Sequence, residues 1–143
     1  MEEEFSTIMA KWAADAVAHA AEVMGRQLDQ SVASLQAVDE ILEQFRRDLP
    51  KGPLKWIGAG PSREEIGIVC EMYGGYVGEI IRREIGGEWQ LPAGGPYAGA
   101  PSIAFRDELS SPVLKVHERI MSPDATIPAY FAAMKARWSG ASE

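Results

Sequence analysis

The sequence predicts an α+β fold of about five helices with a small two- or three-stranded antiparallel sheet or hairpin. Three observations carry that prediction. Apolar residues recur every three or four positions through the first part of the chain, adjacent glycines at Gly86 and Gly87 stop that pattern, and two short segments of alternating character follow before helical spacing returns. The 143 residues are read as a single domain, 1–143, long enough to bury roughly 68–70% of the surface that the unfolded chain exposes.

Phe5, Met9, Trp12, Ala16, Ala20 and Val23 advance by three or four, so a first helix is expected from Phe5 to about Met24. Its many alanines favour helix and let a neighbour approach closely. Gly25 supplies a stop. Leu35, Val38, Leu42, Phe45 and Leu49 form the stripe of a second helix, capped by Ser31 or Ser34 and ended by Pro50. This stripe places Asp39, Glu40 and Glu43 mostly on the opposite, solvent-facing side.

A loop then runs to Pro61. Ser62-Arg63-Glu64-Glu65 reads as a capping box that starts a third helix reaching about Glu84, with Ile66, Val69, Tyr73, Val77, Ile80 and Ile81 on its apolar stripe. Gly67, Gly74, Gly75 and Gly78 interrupt this helix, each about 1 kcal/mol worse than Ala in a helix interior. Close packing against another element is the expected compensation, with Gly74 and Gly78 on one side.

Glu88–Leu91 and Ser102–Phe105 read as short strands joined by the Gly/Pro-rich segment 92–101, and Trp89 is expected to be buried as the anchor of the first. Ser111 followed by Pro112 opens a fourth helix carrying Val113, Val116, His117 and Ile120. Thr126 to Trp138 forms the last, with Ile127, Tyr130, Phe131, Met134 and Trp138 inside.

Charge narrows the partners. Ten acids against four bases in residues 1–50 hold most of the net charge of −7. A nucleic-acid binder needs a basic face to displace counterions, and no block of this chain supplies one. No apolar run approaches the length of a membrane span, and the acidic start Met1-Glu2-Glu3-Glu4 has the wrong sign for a signal peptide. One cysteine, Cys70, forms no internal disulfide and is read as a small buried hydrophobe; with these features a cytoplasmic protein is expected.

No catalytic or metal signature is present, and no cofactor is expected. Gly58-Ala59-Gly60-Pro61-Ser62 precedes a helix but lacks the third glycine of a dinucleotide fingerprint and the Gly-Lys-Ser/Thr of a phosphate loop. His19 and His117 have no ligands at metal-binding spacing, and no Gly-x-Ser-x-Gly elbow occurs. Trp56, in a loop between Lys55 and Ile57, is a candidate aromatic binding anchor. The densest polar cluster is Glu79, Arg82, Arg83, Glu84 and Glu88, in which Glu79 is spaced to pair with Arg82 and Arg83.

The run Gly75-Tyr76-Val77-Gly78-Glu79-Ile80-Ile81-Arg82-Arg83-Glu84-Ile85-Gly86-Gly87-Glu88-Trp89 resembles a motif of a small bacterial α+β family of unknown function. In that family a helix reading Gly-x-Tyr-x-Gly-Glu and ending Arg-Arg leads through Gly-Gly-x-Trp into a strand. The segment from Leu28 to Leu42 resembles the part that precedes it. Such proteins are similar in size and acidity to immunity proteins of bacterial toxin systems, which implies a binder of a protein partner.

The expected function is therefore a non-enzymatic protein-binding domain, immunity-type or regulatory, that meets a basic partner through the acidic N-terminal half, with Glu40 and Glu43 at its surface. Two alternatives stand beside it: a small-molecule enzyme or sensor with a pocket near Glu79, Arg82 and Arg83, and a homo-oligomeric scaffold.

Overall fold

A computed structural model describes residues 2–49 and 62–140. Its elements are α1 (Glu2–Glu22), a 3-10 turn (Val32–Ser34), α2 (Leu35–Asp48), α3 (Arg63–Glu84), β1 (Glu88–Gln90), β2 (Ser102–Phe105), β3 (Glu108–Ser110), α4 (Pro112–Met121) and α5 (Ile127–Gly140). The fold is α+β, as the periodicity predicts. The strands form one antiparallel sheet in the order β1-β2-β3, with Trp89 opposite Ile103 and Ile103 opposite Ser110.

Helix α3 is the central element, and its glycines explain how. A Cβ added at Gly74 would lie 2.6 Å from the Val113 Cα of α4, and one at Gly75 would lie 3.0 Å from the Trp12 Cβ of α1. One at Gly78 would lie 2.1 Å from the Trp89 ring of β1. Three neighbours thus approach the helix where it has no side chain, which offsets the propensity lost at those positions. Gly67 is different: nothing lies within 4 Å of a Cβ there, so its cost has no packing return.

The ends of the helices follow their local chemistry. Gly25 takes φ +66° after α1, and the Arg26 amide donates to the Ala20 carbonyl. The start of the α2 segment is capped by Ser31, whose Oγ accepts the Ser34 amide at 3.1 Å. Ser34 makes no such cap; its hydroxyl meets the Ser31 carbonyl and the Tyr76 hydroxyl. Ser62 and Ser111 cap α3 and α4 through the Glu65 and Leu114 amides. Gly86 and Gly87, with φ of +134° and +101°, turn the chain from α3 into β1.

One hydrophobic cluster takes residues from every helix and from β1 and β2, including Met9, Leu42, Tyr73, Trp89, Ile103, Ile120, Ile127 and Trp138. Trp89 is 3% exposed, as its place in the alternating run predicts. Helix α5 covers the sheet through the stacked rings of Phe105 and Trp138, 4.9 Å apart, and through a hydrogen bond between the Ser110 and Tyr130 hydroxyls. Val23 does not join the core; it lies past the end of α1, 67% exposed. Among the described residues no helix is long and apolar enough to cross a membrane.

Candidate functional site

The acidic surface expected on α2 is largely spent inside the protein. Asp39 is buried, not solvent-facing, because Arg119 of α4 reaches it with Nε at 2.9 Å and Nη2 at 3.2 Å. The Ile127 amide at the start of α5 donates to the same carboxylate at 2.8 Å. Glu43 meets Arg119, Arg46 and Arg47 at 2.9, 2.7 and 2.9 Å. Of these three acids only Glu40 remains well exposed, and it pairs with Arg26 at 2.9 Å. The expected free carboxylate face is corrected accordingly: Arg119, not His117, is the polar residue that α4 turns inward, and two acids of α2 neutralise it.

Arg46 draws Glu43 most strongly, and with Arg119 and Arg47 it holds that carboxyl at about 2, below an ordinary 4.5. Charge reversal at Glu43 therefore attacks an internal ion-pair network rather than a free surface.

The second cluster forms a cleft. Glu79 Oε2 accepts the Trp89 indole N–H at 2.8 Å and Arg82 Nη1 at 3.0 Å. Arg82 Nε also reaches the Gly87 carbonyl at 3.4 Å, tying the helix to its stop. Arg83 turns away from Glu79: its Nε donates to Glu84 at 3.1 Å, and its Nη2 donates to the Gln30 carbonyl. The Gln30 amide in turn donates to the Tyr76 hydroxyl at 2.7 Å. Gln30 sits at φ +67°, a left-handed conformation unusual outside glycine, and these two bonds from α3 hold it there.

Glu79 and Arg83 line a cleft of about 170 Å³ together with Gln30, Tyr76, Ile80 and the alanines Ala10, Ala13 and Ala14 of α1. The alanines recur at the spacing of one helix face, so α1 presents a wall without long side chains. Burial is the main cause that raises the Tyr76 hydroxyl above its ordinary 10, which keeps it a neutral hydrogen-bonding group beside the Glu79 and Arg83 charges. No family model, curated protein or solved structure matches this chain.

Among the described residues, the remaining sequence candidates do not line this cleft. Trp56, with the whole segment 50–61, lies outside the described residues. Cys70 is buried, and burial pushes its thiol up to about 12, so it is held as a neutral apolar group. His19 Nδ1 meets the Tyr73 hydroxyl at 2.8 Å, and its ring stacks on Phe45; burial lowers its pKa. Among the described residues no group of acids, histidines and cysteine is placed to hold a metal.

Glu79 and Arg83 are visible in the sequence, but their companions are not. Gln30 carries no signal of its left-handed backbone, and Tyr76 reads only as part of a helix. The alanine spacing is visible in α1, yet it equally describes a helix packing face.

Proposed function

We propose that this chain is a binding or sensor domain for a small charged ligand, seated in the cleft between α1 and α3. One observation carries the reading. Glu79 and Arg83 carry opposite charges, line the same cleft above an alanine wall, and are held apart by other partners instead of neutralising each other. A concave site with a few convergent polar groups on an apolar lining is the usual form of a small-molecule site. Binding is favoured over turnover by the state of the available reactive groups: the Cys70 thiol is buried and raised to about 12, and His19 is engaged by Tyr73.

The test is a nitrogen-15 NMR titration of the full chain with small amino acids, carboxylates and amines. The amides of Ala13, Ala14 and Gln30 and the Trp89 indole should shift together, with saturation. A panel in which those signals stay still while none titrates would remove the cleft as a site.

A second reading keeps a protein partner with a basic surface, of the regulatory or immunity type, in the cytoplasm. Its support moves from α2 to α1, where Glu4, Asp15 and Glu22 stand exposed on one stripe with Lys11 and the 45% exposed Ile8. In this reading, reversing Asp15 and Glu22 slows capture of the partner at low salt and leaves folding unchanged.

A further inference from the structure

Glu79 precedes Arg83 by four residues, the spacing and order at which an acid and a base ordinarily pair across one helical turn. They do not pair here. The Trp89 indole and Arg82 occupy Glu79 Oε2, while Glu84 and the Gln30 carbonyl occupy Arg83 Nε and Nη2. Among the described residues Glu79 Oε1 accepts no hydrogen bond and Arg83 Nη1 donates none. The cleft therefore offers an open acceptor with negative charge and an open donor with positive charge, about one helical turn apart.

We infer that this unmade pair is a recognition site for a small zwitterion, an α-amino acid with a short side chain. The inference rests on the binding role proposed for the cleft. The ligand carboxylate accepts from the open Nη1 of the Arg83 guanidinium, and the ligand ammonium donates to Glu79 Oε1. The number of contacts selects the class: a simple anion uses only the open Arg83 Nη1 and a simple cation only the open Glu79 Oε1, whereas a zwitterion uses both while the Arg82–Glu79 and Arg83–Glu84 pairs stay intact. Size agrees. A cleft of about 170 Å³ has room for a molecule as small as alanine, whose methyl group would meet the Ala10–Ala14 wall.

The experiment is calorimetric titration of the full chain with L-alanine, propionate and ethylammonium. Alanine should bind about tenfold or more tightly than either single-charge analogue, because each analogue forfeits one charge-assisted contact. Glu79→Gln should weaken alanine by a similar factor. Because Glu79 also anchors Trp89, Ala14→Leu provides an independent variant: it fills the cleft from an exposed helical position and should abolish alanine binding without lowering the melting temperature. Equal affinity for alanine and propionate would overturn the zwitterion while leaving the cleft as an anion site. Alanine binding that Ala14→Leu leaves intact would place the ligand elsewhere and overturn the zwitterion site in this cleft. No heat with any of the three overturns the zwitterion, and the NMR panel then decides separately whether the cleft binds other charged molecules.

Discussion

Asp39 of α2 caps the helix that begins at Ile127, 88 positions further along, by accepting its amide hydrogen at 2.8 Å. The same oxygen accepts Arg119 Nε, so one carboxylate joins α2, α4 and α5. Removing one partner of a buried pair leaves the other charge uncompensated, and Asp39→Ala should cost about 3–5 kcal/mol in urea unfolding. Glu40→Gln, one residue along but exposed, should change stability by less than about 0.5 kcal/mol. Similar effects of the two substitutions would show that the Asp39 network is not a structural junction.

The Gly78–Trp89 contact admits no side chain. The Trp89 ring is buried, and a Cβ at Gly78 would meet it inside contact distance with Ile103 close by, so Gly78→Ala should overpack the contact and lose about 1–3 kcal/mol despite the better helix propensity of alanine. In a Trp89→Ala background, itself about 3–5 kcal/mol less stable, the Gly78 substitution should turn neutral or stabilising. Gly67→Ala, with open space around it, should instead raise stability by about 0.5–1 kcal/mol. Thermal melts that order these variants differently would break the link between the α3 glycines and their neighbours.

Acid should loosen the α2–α4 junction through Glu43. Its carboxyl is held at about 2 when folded, against an ordinary 4.5, so the unfolded chain takes up this proton first as pH falls. The stabilisation is complete above about 4.5 and is lost as pH falls toward about 2. Glu43→Gln should flatten the pH dependence of the urea midpoint across that window. An unchanged slope would assign the acid sensitivity to other carboxylates.

Cys70 should resist thiol reagents in the native state. A buried thiol raised to about 12 has almost no thiolate near neutral pH. Iodoacetamide should label it only as fast as the protein opens, and urea should restore ordinary reactivity. Labelling at the rate of a free thiol in buffer would contradict its burial.

Much of the fold was legible because single elements carry strong local signals. The stripe of Leu35, Val38 and Leu42, the Ser62 and Ser111 caps, and the Gly86-Gly87 stop each act within one element. Strand β3 was visible only as the third-strand alternative. Its hairpin turns through Arg106, at φ +57°, and Asp107 instead of the Asn-Gly pairs that mark such turns, and Leu109 is its one apolar residue. The fate of Asp39 could not be read from helical spacing, since it depends on Arg119, 80 residues away. The cleft was legible in half: α3 supplies its charges within one motif, whereas Gln30 and the alanine wall reach it only through the packing of α1 and the following segment onto α3.

The most direct test of the zwitterion site is a crystal structure of the full chain grown with saturating L-alanine. One amino acid should lie between α1 and α3, its carboxylate on Arg83, its ammonium on Glu79 Oε1 and its methyl group against Ala14. Alanine seated elsewhere on the molecule, or a cleft holding only solvent at that concentration, would contradict it.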